Sequence, residues 1–251
     1  MLPKEFKPDG LYELVRLGKN NDGGYLVCKN SIEVSDYLIS FGISDDFSFE
    51  VDFKDKKNIP IFAYDPTTTN IFFLKKILIN ILKIKLKSLF KSIYNFVKFK
   101  IFFNNKNNFF LKNKIGKGGS AGFICTSVKE VVKNANNAGS IFFKIDIEGS
   151  EYRILDDIIE YRERISGIAI EFHDVDCHLD KIVKFIKNIN LTLVHIHANN
   201  YSKYNYDNIP TALELSFSKN PKMLDRNLSL PHLFDQKNNP DSPDLELSFI
   251  K

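Results

Sequence analysis

The chain has no tryptophan, two methionines and three cysteines in 251 residues. Cys28, Cys125 and Cys177 are odd in number, far apart and outside any CxxC pair. That pattern points to neither a disulfide framework nor a thiolate zinc site, and a reducing cytoplasm is the simplest setting. No uncharged apolar run approaches the roughly 18 residues that span a bilayer. The opening MLPKEFKPDG contains no apolar core of a secretory signal. A formal charge of +4 is too small to argue for a nucleic-acid partner. The sharpest absence is local: no Asp or Glu occurs between Pro66 and Lys129, and neither Gly nor Pro between Asn70 and Asn105. The abundance of Lys, Asn, Ile and Phe reads first as base-compositional bias of the coding sequence.

What is present suits one large α/β domain spanning 1–251. Its organising stretch is Ile141–Glu151, IFFKIDIEGSE. The apolar start reads as a parallel strand buried on both faces, with charge appearing where the strand leaves the core. The run ends at Gly149-Ser150, and Ser150 and Glu151 open a helical stretch; Glu151–Arg164 reads as an amphipathic helix with Ile154, Leu155, Ile158 and Ile159 on its buried face. Ligands of open α/β sheets sit at such strand-to-helix crossovers. Upstream, Tyr37–Phe41 is a short strand followed by Gly42 and by Ser44, Asp45 and Asp46, which are good helix N-cap chemistry. A second strand, Ile59–Asp65, ends in an acid about 20 residues beyond Gly42, where an acid accepts the ribose hydroxyls of an adenosine-bearing cofactor. A turn or helix cap before Pro66 is the alternative for Asp65. Asn21-Asp22-Gly23-Gly24 marks a β-hairpin, and its doubled glycine also permits close backbone approach to a ligand.

Three later strands carry chemistry at their ends: Gly167–His173 with Glu171 and His173, Leu191–His197 with His195 and His197, and Ala212–Phe217 with Glu214. The helix Leu179–Ile189 joins the first two. Strand alternation makes Asp146 with Glu148, Glu171 with His173, and His195 with His197 same-face pairs. An imidazole oriented by a carboxylate suits removal of a hydroxyl proton near neutral pH. The same groups suit a hard divalent ion, with Asp146, Glu148, Glu171 and His173 as candidates. Spacing does not separate those uses.

Between these units, Lys76, Asn80, Lys83, Lys87, Lys91, Asn95 and Lys98 recur at steps of three or four. They make a narrow polar stripe on one apolar helix or on a broken pair. So wide an apolar face needs the core, a second subunit or a membrane surface to cover it, while the lysines suit a phosphorylated substrate. The stretch at about 70–114 reads as an insertion or lid. Gly116–Gly122, GKGGSAG, reads as a mobile connection without the P-loop ending, and about 220–251 as a C-terminal surface extension.

The ordered set KIDIEGSE (Lys144–Glu151), NDGGY (Asn21–Tyr25), SFGISDDFSFE (Ser40–Glu50), YDPT (Tyr64–Thr67), EFH (Glu171–His173), HIHANNY (His195–Tyr201) and ALELSF (Ala212–Phe217) resembles the FkbM-type S-adenosylmethionine-dependent methyltransferases. The resemblance implies a Rossmann-like class I methyltransferase sheet, mostly parallel with an antiparallel final strand and helices on both faces. It implies S-adenosyl-L-methionine with Gly42, Ser44 and Asp46 on its methionine side and Asp65 on its ribose. Glu50 is a further cofactor-binding candidate at the end of the same motif. Asp146 is expected between cofactor and acceptor, with His173 or His197 as base and Asp146, Glu148 or Glu171 orienting it or sharing a metal. The family implies O-methylation of sugars or natural products, and the NDGGY and HIHANNY variant resembles members found with bacterial polysaccharide genes; a nucleotide-activated sugar is expected here, since its diphosphate suits the lysines. Methylation of an amine or phosphoramide nitrogen, and a non-catalytic membrane-surface or partner-binding role, are the rival readings. A cytoplasmic protein, with peripheral membrane contact or homo-oligomerisation open, completes the expectation.

Overall fold

The computed structural model describes residues 1–116, 122, 124–135 and 139–250. Seven strands form the central sheet: β1 Tyr37–Phe41, β2 Ile61–Tyr64, β3 Asn108–Leu111, β4 Ile141–Ile145, β5 Ile165–His173, β6 Thr192–Ala198 and β7 Ala212–Ser218. Their order is β6-β7-β5-β4-β1-β2-β3. The pairings from β5 through β3 are parallel, and β7 lies between β5 and β6, antiparallel to both. This is a mostly parallel, Rossmann-like sheet with one antiparallel strand. The final strand is inserted inside the sheet, not added at its edge. Chain connectivity runs from β1 outward through β2 and β3, and from β4 outward the other way, so the switch point falls between β1 and β4. The crevice outside their carboxyl ends is where such a sheet takes a ligand.

Strand alternation assigns each residue to one of two cores. Ile39, Phe41, Ile141, Phe143, Ile145, Ile168, Ile170 and Phe172 face one side, packed with helices α4 Val128–Asn134, α5 Leu155–Glu160 and α6 Val175–Asn188. Leu38, Ile61, Phe142 and Ala169 face the other, against Phe49 and Phe53 of helix α1 Ser48–Lys56 and against Tyr25 and Val27. Those last two belong to the NDGG hairpin, in which Leu14–Leu17 pairs antiparallel with Tyr25–Cys28. Ser127 and Glu130 form a capping box that starts α4, satisfying two of its free amides.

The stretch beginning at Asn70 is a helical pair, α2 Asn70–Leu82 and α3 Leu86–Phe103, broken at Ile84, whose φ is 52°. Its far end belongs to the sheet: β3 pairs parallel with β2, Phe62 opposite Phe109. Four residues between Asn- and Lys-rich flanks offer no period that would announce a strand. The single helix expected over Glu151–Arg164 is instead a 3₁₀ turn, α5 and a second 3₁₀ turn, with Ile154, Leu155 and Ile158 buried. Of GKGGSAG, residues 117–121 lie outside the described residues. The C-terminal segment runs back over the molecule: Met223–Asp225 pairs with Leu11–Tyr12, and Phe249 bridges to Leu2.

Candidate active site

A cleft of about 520 Å³ opens at the switch point, lined by the β1–α1 loop, Tyr64–Thr67, Asn113–Ile115 and the turn after β4. Gly42, at φ 76°, is the residue that lets β1 and β4 end side by side. A Cβ there would overlap the carbonyl oxygen of Asp146, while Asp146 N donates to Phe41 O at 2.9 Å. A side chain is excluded on both grounds, conformation and space.

Asp65 is buried beside the cleft. Its Oδ2 accepts from the amides of Ile43 (3.1 Å) and Ser44 (2.8 Å). Its Oδ1 accepts from Thr67 N (2.7 Å), Thr67 Oγ1 (2.7 Å) and Thr68 N (3.1 Å). Burial opposes ionisation, but these donors hold the carboxyl below its ordinary range. The acid therefore ties the β1–α1 loop to the end of β2, which is the turn-capping alternative made real. Ser44 and Asp46 also line the cleft. Asp46 accepts from the amide of Ser48, the first residue of α1, at 3.1 Å and pairs with Lys19 at 2.7 Å. Glu50 is placed differently from the expectation. It is buried on α1, accepts the Ser40 hydroxyl and does not line the cleft. Three residues into a helix that packs on the sheet, its side chain faces the core beneath the crevice.

At the other end of the cleft stands a cluster centred on Asp146. Its Oδ2 receives Lys144 Nζ at 3.2 Å and Tyr25 Oη at 3.1 Å. Lys144 is buried within β4 and also donates to Gly42 O at 2.6 Å. Burial alone would lower its pKa, yet Asp146 and Glu50 raise it. Tyr25 Oη lies 3.2 Å from Glu171 Oε2 as well. One hydroxyl proton serves one carboxylate, so the second contact suits a protonated Glu171 donating to the phenol. Glu171 is pushed up to about 8, by burial first and then by Asp146 and Glu214. Its Oε1 accepts from Asn199 Nδ2 at 2.7 Å.

His173 extends the cluster. Nδ1 lies 3.2 Å from Glu151 Oε1, and Nε2 faces Glu148 at 3.4 Å and Glu171 at 3.9 Å. Burial would depress the imidazole, but the bond to Glu151, with Glu171 beside it, raises it to about 9. Glu151 is fully buried and also accepts from Ile147 N (3.0 Å) and Gly149 N (3.2 Å). The same carboxylate thus shapes the turn and orients the ring. Past Ile145 the alternation rule stops applying. Glu148 (φ 53°) and Gly149 (φ 86°) form a left-handed turn, so Glu148 is not a same-face partner of Asp146 and its side chain is 85% exposed. Asp146, Glu171 and His173 can each offer one atom such that all three lie within 4.8 Å of one another. Two hard oxygens and an imidazole nitrogen are a donor set that fits Mg²⁺ or Mn²⁺.

His197 and His195 stand elsewhere. His197 Nδ1 faces Glu214 at 3.5 Å and its Nε2 faces Asp244 at 3.3 Å, and these acids overcome burial to raise it to about 10. His195 meets Asp235 at 2.9 Å, and Asn200 Nδ2 donates to Asn239 O at 2.9 Å. His195, His197 and Asn200 of HIHANNY therefore dock the C-terminal segment, and Asn199 alone of its asparagines reaches the Asp146 cluster. Tyr25, Lys144, Glu151 and Asn199 were not singled out from the sequence. All four sit inside the quoted motifs NDGGY, KIDIEGSE and HIHANNY, the one usable signal for them.

No protein-family model matches the sequence, and no curated protein matches it. Among solved structures, an rRNA methylase from Streptococcus thermophilus overlaps with TM-score 0.39 at 10% identity, over 77% of this chain and 92% of that one. The fibrillarin pre-rRNA processing protein of Methanococcus jannaschii overlaps at 0.36 and 10% identity, over 75% and 68%. An O-methyltransferase family protein from Burkholderia thailandensis does so at 0.36 and 7% identity, over 75% and 52%. Overlaps this loose say nothing of chemistry; the strand order defines the fold.

Proposed function

We propose that the chain is an S-adenosylmethionine-dependent methyltransferase of the FkbM type, acting on a sugar hydroxyl, with a nucleotide-activated sugar of surface-polysaccharide synthesis as acceptor. One observation supports it most. A cleft at the β1/β4 switch point joins a glycine-permitted floor to a proton-handling cluster at Asp146. The cleft is large enough for such a cofactor, with Gly42, Ser44 and Asp46 toward one end and Asp65 holding the loop that a ribose would meet. Bound there, the cofactor supplies an electrophilic methyl on a sulfonium. The chain's own part is to align the acceptor oxygen and take its proton. Asp146 is the cleft-lining member of the cluster. Glu171 and His173, linked to it through Tyr25 and by proximity, take up the proton when both have titrated. The His173 reading is preferred over His197, whose ring is committed to Glu214 and Asp244. Calorimetry with S-adenosylhomocysteine tests the assignment. Micromolar binding, abolished by blocking the cleft with Ser44→Trp, is expected; no binding by the folded chain refutes it.

A second reading rests on the same three donors. A divalent ion held by Asp146, Glu171 and His173 would acidify the acceptor hydroxyl as a Lewis acid. Turnover in EDTA equal to turnover in Mg²⁺ or Mn²⁺ would count against it.

A further inference from the structure

Helices α2 and α3 pack antiparallel: Asn80 donates to Ser92 Oγ at 2.9 Å, and Phe73 meets Phe96 and Phe99 at ring centroid distances of 5.1 and 5.0 Å. Phe72 and Phe102 sit on the flank that packs with Phe47, Ile43 and Ala63 on the domain. The opposite flank is apolar and uncovered. On α2 it carries Ile71, Leu74, Leu78 and Leu82, and on α3 Leu86, Phe90, Ile93, Val97 and Ile101. Both series step by three or four, so each is one continuous stripe. Phe90 and Ile101 are each 70% exposed and Leu82 73%. The connection adds Ile84, at 81%.

The charge around this face has one sign. Eight lysines and no acid lie between Asn70 and Phe103. Lys87, Lys91 and Lys98 each follow a stripe residue, about 100° further round the helix, so they border the apolar surface along its length. A second copy laid on this face would set lysines against lysines in a low-dielectric contact, which is unfavourable. An anionic bilayer surface satisfies both features: apolar side chains enter the acyl boundary, and lysine stems reach up to the headgroups. Among the described residues, no helix is long and apolar enough to cross a membrane. We propose that the α2–α3 hairpin docks the protein on the surface of an anionic membrane, lying in the interface with its lysine-bordered face down. This inference stands apart from the methyl-transfer reading, because its test reads binding and not turnover.

The test is co-sedimentation of the full chain with vesicles of phosphatidylcholine alone or with 30% phosphatidylglycerol. The chain is expected to bind the anionic vesicles and not the neutral ones, and to lose binding as NaCl rises from about 0.05 to about 0.5 M. Replacing Lys87, Lys91 and Lys98 by Gln should weaken binding about a hundredfold. Leu78→Glu with Phe90→Glu should abolish it, with circular dichroism unchanged. Since the chain lacks tryptophan, Phe90→Trp gives a single reporter whose emission should shift to the blue on anionic vesicles and be quenched by brominated lipid. Failure of the folded wild type to bind anionic vesicles at low salt overturns the proposal. So does a homodimer that Leu78→Glu with Phe90→Glu dissociates, or tight capture of a soluble acidic protein with no vesicle binding.

Discussion

Replacing Gly42 by alanine tests the crevice itself. At φ 76° an alanine gives up about 1–2 kcal/mol to the left-handed conformation. Its methyl group would also overlap the Asp146 carbonyl oxygen, so the ends of β1 and β4 must part. That breaks or lengthens the 2.9 Å bond from Asp146 N to Phe41 O, worth about 0.5–1.5 kcal/mol. The sum, about 1.5–3.5 kcal/mol, corresponds to a melting point lower by about 3–14 °C for a chain of this length. Gly149→Ala is the matched control. Gly149 has φ 86°, but an added Cβ meets nothing closer than Asp174 Oδ2 at 3.9 Å. Its loss should be the conformational part alone, about 2–4 °C per kcal/mol. Melting followed by circular dichroism gives both values, and calorimetry with S-adenosylhomocysteine should show affinity falling in Gly42→Ala. If the two variants melt within about 1 °C of each other, and Gly42→Ala binds like wild type, the close approach of β1 and β4 does not shape the cleft.

Other outcomes follow from the cluster. A base drawn from the Glu171–His173 pair must shed its protons, whose folded values lie at about 8 and about 9. Turnover should therefore climb from pH 7 toward pH 9, and a flat profile there argues against both groups. Glu171→Gln keeps the Asn199 and Tyr25 contacts but removes a buried acid whose folded pKa is raised from 4.5 to about 8. Such an acid costs stability as pH rises through that window, so the variant should melt a few degrees higher at pH 7 while turning over roughly 10²–10⁴ times more slowly. His197 is raised from 6.5 to about 10. Its ion pairs contribute fully below about pH 6.5 and fade toward pH 10, so denaturation midpoints should fall across that range in wild type and less so in His197→Gln. Lys144→Met leaves Asp146 and Glu50 without their buried cation and should cost about 3–5 kcal/mol in urea unfolding.

Local periodicity made much of the sheet legible from residue order. Period-2 and fully apolar runs placed six of its strands, and Gly42 and Asp65 marked the ends of β1 and β2, because burial on one face or two writes itself into neighbouring residues. β3 escaped because Asn108–Leu111 is short and gains its identity from pairing with Phe62. Glu148 was misplaced because alternation ends where the backbone turns left-handed, and the helix after it was read too long because two 3₁₀ turns share its apolar spacing.

The local pattern of KIDIEGSE, EFH and YDPT thus settled that acids and imidazoles stand at strand ends of an α/β sheet. Which of them meet is a matter of strand order, which no residue's neighbours encode. The insertion of β7 between β5 and β6 moves His197 away from Asp146 and sets Glu214 between His197 and Glu171. Folding the NDGG hairpin onto the sheet brings Tyr25 to Asp146 across 121 residues. The C-terminal segment returns Asp235 and Asp244 to the two histidines. Contacts over such separations depend on which faces the whole chain can bury together, and that choice is made in three dimensions.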